Sequence, residues 1–316
     1  MRCENRMMFH RPVMLKEVLE CLNCKRGGIY VDGTVGGGGH AYEILEKTAP
    51  DGLLIGIDLD EEALSEAEKR LRIFGGRKIL AKGDFTDIAD IVTGLNIRFV
   101  DGILFDLGVS SHQLDSAGRG FSFSQEALLD MRMDMSRSFT ARDLINSFTE
   151  KELERIIRDY GEEKMARRIA KTIVEKRKIS PILTTTELAA IVSRAVSHEY
   201  GGQSTHPATK TFQAIRIVVN NEIVNLPKAI ENGAKILTSG GRFSIISFHS
   251  LEDRIVKNEF RNRGRGCICP PRLAVCACQN KPSLKIITKK PLRPGSSELS
   301  ANPRARSARL RTAERI

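Results

Sequence analysis

Residues 31–41 read VDGTVGGGGHA, a glycine-rich turn that follows a short apolar run and opens a helical pattern. The turn contains G-x-G-x-x-A at Gly36, Gly38 and Ala41, and Asp58 lies twenty residues beyond Gly38, where a carboxylate commonly holds a ribose diol. By that count alone a nicotinamide dinucleotide is one candidate ligand. Asp32 argues against it, because a carboxylate at the mouth of the loop repels the pyrophosphate that a helix N-terminus otherwise attracts. S-adenosylmethionine carries an ammonium, a sulfonium and a ribose diol but no phosphate, so acids around the loop favour it over NAD. Acids recur at the ends of the apolar runs, at Asp32, Asp58, Asp84 and Asp106. Helix capping is the competing duty for Asp32 or Asp84 taken singly.

The elements that must position these residues follow from the pattern. Apolar runs at 28–32, 53–58, 78–81 and 100–107 alternate with helical patterns at 39–47, 61–72 and 85–93. That alternation predicts an α/β fold with a parallel sheet covered on both faces, whose ligands bind at the carboxyl ends of the strands. The four acids then share one sheet edge. After residue 107 the rhythm changes to a Gly, Ser and Phe-rich loop at 118–124, then to helical patterns near 140–147, 149–159, 162–178 and 185–197. Thr184 to Thr186 precede Glu187 as candidate caps, after the break at Pro181. A helix at 207–226 is expected to return the chain to the sheet, with a further buried strand at 242–248. The expected division is an α/β domain of residues 1–111 and 208–316 with a basic C-terminal tail, and a helical insertion at 112–207.

The chain has 316 residues, 41% apolar and 28% charged, with a formal charge of +11. A disordered tail protein and a small disulfide scaffold are excluded, and no run approaches the ~18 apolar residues of a membrane span. A cytoplasmic protein is expected, since seven cysteines, an odd number, do not suit a complete disulfide framework. Residues 281–316 hold ten Lys or Arg against Glu298 and Glu314, a net +8, leaving +3 for the rest. That asymmetry suits a polyanion-binding arm, with a solvated tail as the alternative. Cations on the 162–178 helix (Lys164, Arg167, Arg168, Lys171, Lys176, Arg177 and Lys178), interspersed with Glu162, Glu163 and Glu175, invite the same two readings. Phe121 and Phe123 are candidates for base stacking or for packing. Cys267, Cys269, Cys276 and Cys278 form paired C-x-C motifs whose spacing departs from the usual C-x2-C of zinc sites; no metal is assigned. Cys21 and Cys24 are taken as packing residues.

These residues resemble one family over nearly the whole chain, the bacterial small-subunit ribosomal RNA methyltransferase H family (RsmH, also called MraW). The resemblance runs through residues 10–18 (HRPVMLKEV), 31–40, 56–58 (GID), 101–111 (DGILFDLGVSS), 113–115 (QLD), 119–123 (RGFSF), 129–134 (LDMRMD), 211–216 (TFQAIR), 247–254 (SFHSLEDR) and 302–307 (NPRARS). It implies a class I, Rossmann-like methyltransferase sheet with an inserted helical domain for RNA recognition. It further implies that S-adenosylmethionine donates a methyl to the exocyclic N4 of a cytidine in the decoding region of 16S ribosomal RNA, within the small subunit. Carried over by position, the cofactor contacts would be Gly38, Gly39, His40, Asp58, Phe85, Asp106 and Gln113. His112 stands where the family usually has Pro, which frees the backbone ahead of Gln113.

Methyl transfer from a sulfonium is an in-line displacement, so alignment in a dry site matters more than a strong base. Acceptors for the N4–H of cytosine would localise its lone pair; Asp106, Ser110 and Ser111 are the candidates, with His249 and Ser250 on the substrate side. His249 suits a structural hydrogen bond equally well. A C5-cytosine enzyme would need a cysteine after a proline, and none is present. Two other classes stay open, an NAD-dependent oxidoreductase and a non-catalytic RNA-binding assembly factor that acts through its basic tail.

Overall fold

The computed structural model describes residues 12–110, 113, 114, 116–196, 206–266, 269, 278 and 281–316. One compact unit comprises the chain up to Gly108 together with Ile223–Ile316, and a second comprises Val109–Glu222.

The first unit is built on strands β1 (Ile29–Asp32), β2 (Leu53–Asp58), β3 (Lys78–Lys82), β4 (Val100–Asp106), β5 (Leu237–Ser247), β6 (Leu284–Ile286) and β7 (Arg309–Arg315). They form one sheet in the order β3-β2-β1-β4-β5-β7-β6. The pairs among β1 to β5 are parallel, whereas β7 runs antiparallel to both β5 and β6. Because side chains alternate along a strand, each strand feeds both faces. Val31, Ile55, Ile57, Ile103, Phe105 and Ile245 join one core with helices α4 (Ile88–Gly94), α10 (Glu222–Ile236) and α11 (Ser250–Gly264). Tyr30, Leu54, Leu104, Ile246 and Leu310 join the other, with α1 (Leu15–Leu22), α2 (Gly39–Lys47) and α3 (Glu61–Leu71). A short helix α12 (Ser296–Ala301) precedes β7.

The basic tail expected at the C-terminus is instead part of this sheet. Leu310, Thr312 and Ala313 are buried, and the Thr312 hydroxyl lies 2.9 Å from that of Ser244. Two of the cations that made the segment look like an arm, Arg309 and Arg311, are neutralised in place. Arg311 donates to both carboxylate oxygens of Asp253 at 2.6 and 3.2 Å, and Arg309 donates to Asp253 at 3.0 Å. Arg242 pairs with Glu314 at 2.7 Å.

The second unit contains α5 (Ala141–Ser147), α6 (Glu150–Gly161), α7 (Ala166–Arg177), α8 (Thr185–Val196) and α9 (Thr209–Asn220). Thr140 and Thr149 open α5 and α6 with reciprocal capping boxes to Asp143 and Glu152. Thr184 accepts from the Glu187 amide at 3.3 Å ahead of α8. The helix expected to lead back to the sheet belongs here, since Phe212, Ala214, Ile215 and Val219 pack in this unit's core. Asn221, at φ +54°, ends α9 before α10 begins. The unit's bounds, 109–222, are therefore wider than the expected 112–207. Among the described residues no helix is long and apolar enough to cross a membrane.

Candidate active site

Strand register brings three of the predicted acids to one edge. Asp32 lies opposite Gly56 and Leu104, Asp58 opposite Lys82, and Asp106 opposite Ile246, each at the carboxyl end of its strand. Asp84 follows β3 but serves as a cap: its Oδ1 accepts from the Thr86 amide at 2.9 Å and its Oδ2 from Asn225 at 3.2 Å. Phe85 follows it, with its ring 5.4 Å from that of Phe105.

The glycine loop is sewn between these strand ends. Gly33 N donates to Leu104 O and Val35 N to Ile57 O, both at 2.9 Å, so the turn extends the pairing on each side of β1. A Cβ on Gly33 would meet the Phe105 ring at 2.3 Å, which explains the glycine. Gly36 and Gly38 have φ of +50° and +76°, a region that L side chains rarely occupy. Gly38 also brings the start of α2 against Ala67 of α3, where a Cβ would sit 3.3 Å from the Ala67 Cα. A Cβ on Gly37 would meet nothing within 4 Å, so the loop opens there.

Backbone amides hold the carboxylates. Thr34 N donates to Asp32 Oδ1 at 3.2 Å, Gly36 N to Asp58 Oδ2 at 2.9 Å, and Asp60 N to Asp58 Oδ1 at 2.9 Å. Thr34 Oγ1 accepts from the Asp106 amide at 2.6 Å, linking the loop to β4. Sequence reasoning missed Thr34; its signal was a lone hydroxyl residue inside the glycine run. Buried His40 has its Nε2 2.9 Å from the Val13 carbonyl. A carbonyl only accepts, so Nε2 carries the proton. The other ring nitrogen, Nδ1, lies 3.7 Å from Asp106 Oδ2. Asp106 Oδ1 is buried and has no hydrogen-bond partner among the described residues.

Burial raises the pKa of all three carboxyls. Asp32 is pushed up to about 7, mainly by burial and further by Asp58, against the Thr34 amide. Asp58 rises to about 6, by burial against the amides of Asp60 and Gly36. Asp106 is raised well above the ordinary range by burial, then by the charges of Asp32 and Glu252. None of the charged groups that shift them is a Lys or Arg. A site built this way selects a ligand with cationic groups and hydroxyl donors, and it opposes a pyrophosphate. The residues present therefore fit S-adenosylmethionine, and the open carboxylate oxygen of Asp106 is the clearest sign.

The remaining predicted residues have other placements. His249 begins α11 as its cap: the Glu252 amide reaches its Nδ1 at 3.4 Å, while Glu252 Oε2 accepts from the amides of Phe248 and His249 at 2.8 and 3.3 Å. Its ring is buried, with Nε2 3.1 Å from Glu252 Oε1. Ser110 and Gln113 belong to the second unit and bond to each other; Ser110 N donates to Gln113 Oε1 at 3.0 Å and Gln113 N to Ser110 Oγ at 3.2 Å. Ser111 and His112 lie outside the described residues, as do Cys267 and Cys276; Cys269 and Cys278 are half-buried. Phe121 and Phe123 pack in the second unit's core, not on the sheet, and Phe123 stacks on His206 at 4.6 Å. Lys164, Arg167, Arg168 and Lys171 are exposed, whereas Arg177 turns inward to donate to the carbonyls of Ile145 and Phe148.

The strand order with its antiparallel β7, and the acid-lined glycine loop after β1, define a class I S-adenosylmethionine-dependent methyltransferase. The model of the MraW methylase family matches residues 7–316. The sequence is 58% identical to the ribosomal RNA small subunit methyltransferase H of Syntrophus aciditrophicus, over 99% of each chain. It is 53% identical to the protein of the same name from Syntrophotalea carbinolica, over 97% of this chain and 98% of that one. With the Halothermothrix orenii protein of that name it shares 50% identity, over 98% and 99% of the two chains. The chain belongs to the MraW methylase family, and both the nicotinamide alternative and the non-catalytic one are set aside.

Proposed function

We propose that this protein transfers the methyl group of S-adenosylmethionine to the exocyclic N4 of a cytidine in the decoding region of 16S ribosomal RNA, in the small ribosomal subunit of the cytoplasm. Near full-length identity to proteins named for small-subunit ribosomal RNA supports the substrate class. The resemblance to the family over nearly the whole chain supports the target atom. The observation that carries the chemistry is the buried carboxylate oxygen of Asp106 at the end of β4, which has no hydrogen-bond partner among the described residues.

When bound, the cofactor supplies an electrophilic methyl on a sulfonium. Asp58, already fixed by two amides, would take the ribose diol, and Gly36 and Gly37 would leave room for the ligand above the loop. Asp32 and Asp106 would face its cationic groups. In its carboxylate form Asp106 accepts a hydrogen bond from N4–H, which localises the nitrogen lone pair for in-line attack, and it is placed to receive the proton that N4 loses. The helical unit, with Lys164, Arg167, Arg168 and Lys171 on its surface, would recognise RNA. The test is incubation with methyl-labelled S-adenosylmethionine and unmodified small subunits, followed by mass identification of the labelled nucleoside. N4-methylcytidine is expected; label in another nucleoside would overturn the target atom, and no label would overturn the reaction.

A further inference from the structure

The connection between β6 and β7 carries a basic surface that the chemistry above leaves unused. Lys289, Lys290, Arg293 and Arg306 are exposed and form no ion pair among the described residues. Elsewhere on this unit Lys69, Lys78, Lys82 and Lys235 lie 2.5 to 2.8 Å from a glutamate. Glu298 is the one acid between residues 281 and 308, and it is engaged, accepting from the Met14 amide at 2.6 Å.

Register places this surface in line with the reacting edge. Asp106 lies opposite Ile246, Ile246 opposite Leu310, and Leu310 exchanges backbone hydrogen bonds of 3.0 Å with Leu292. The four residues form one row across the sheet, so Leu292 stands three strand spacings, about 14 Å, from Asp106. A second link runs through the N-terminal segment. Glu298 holds Met14, the Val13 carbonyl holds His40, and His40 faces Asp106. The basic connection is thus a fixed rim beside the site, where the sequence suggested a free arm.

We propose that Lys289, Lys290, Arg293 and Arg306 bind the phosphates of single-stranded RNA flanking the target nucleotide, and so draw its base to the carboxyl edge of the sheet. The inference rests on the RNA methyltransferase reading above. Unpaired cations with little apolar surface between them suit a phosphate backbone, since a protein partner would require a central apolar anchor. Leu292, 38% exposed, is the large apolar side chain at the surface in this stretch.

The test compares the full-length protein with a variant carrying Lys289→Gln, Lys290→Gln, Arg293→Gln and Arg306→Gln. Binding of a labelled single-stranded RNA that spans the target is measured from low to high salt, beside methyl transfer to small subunits and S-adenosylhomocysteine affinity. Four lost phosphate contacts should make the log affinity against log salt slope shallower by about 3, and should raise KM for the subunit at least about tenfold. The kcat and S-adenosylhomocysteine affinity should not change. A control with Lys69→Gln, Lys228→Gln and Lys235→Gln should keep the original slope. An unchanged slope or KM in the four-site variant, or competition by polyglutamate as strong as by RNA, overturns the rim. Wild-type protein that binds RNA with the expected slope but transfers no methyl would instead overturn the reaction and leave the rim standing.

Discussion

Asp106 concentrates the functional argument at the scale of one residue. Asp106→Asn keeps the shape but removes both the stronger acceptor and the proton sink, so turnover on RNA should fall about 100-fold or more. S-adenosylhomocysteine affinity should fall far less, and calorimetry beside single-turnover assays separates the two. Asp32 offers a pH test. Its carboxyl, raised to about 7 by burial and by Asp58, binds a proton more tightly folded than unfolded. The ligand-free fold therefore loses stability as pH rises from about 4 to about 7, and the loss is complete above that window. Asp32→Asn can still accept from the Thr34 amide, so its Tm should exceed that of the parent at pH 8 and match it near pH 4. Cofactor affinity of the parent should rise over pH 6 to 8 as the acids ionise, and Asp32→Asn should flatten that rise.

At the scale of elements, two contacts decide whether the edge is built. Gly33→Ala would drive a methyl into the Phe105 ring, and about 1–3 kcal/mol of stability should be lost, read as a lower urea midpoint. The loop also carries Thr34 and hence the Asp106 amide, so methyl transfer should fall in the folded fraction. Arg311→Ala would leave Asp253 buried without its bidentate partner, a loss of about 3 kcal/mol. Burial raises the Asp253 carboxyl, but Arg311 and then Arg309 outweigh it and hold it below the ordinary range. This contribution is present near neutral pH and is lost on acidification, so the parent and variant midpoints should converge as pH falls below about 4.

For the whole molecule, the last strand settles what the C-terminus is for. β7 lies between β5 and β6, and its removal exposes the Ile245 and Ile246 faces of the sheet. Deleting residues 296–316 should therefore abolish folding, seen as lost near-ultraviolet dichroism and aggregation. A soluble truncated protein with native S-adenosylhomocysteine affinity would contradict that placement. The outcome differs from that expected of a detachable RNA-binding arm, which would leave cofactor binding intact.

Much of the site was legible in the chain because its signals are local. Alternating strand and helix patterns from residue 28 to 107 placed Asp32, Asp58 and Asp106 at strand ends, and the glycine run announced a tight turn ahead of a helix. Asp84 and His249 occupied similar sequence settings, yet both became helix caps, because that duty depends on which amide lies within reach. β7 was hidden for a different reason. RLRTAER alternates poorly and is highly charged, and it reads as a strand only once Asp253 and Arg242, fifty residues or more away, neutralise Arg309, Arg311 and Glu314. The chain by itself determined the parallel half of the sheet, the acids on its edge and the family. Only the tertiary structure decided which acid keeps an open oxygen, which histidine faces it, and which cations are paired in the sheet or left at its rim, because those properties depend on long-range partners that no local pattern encodes.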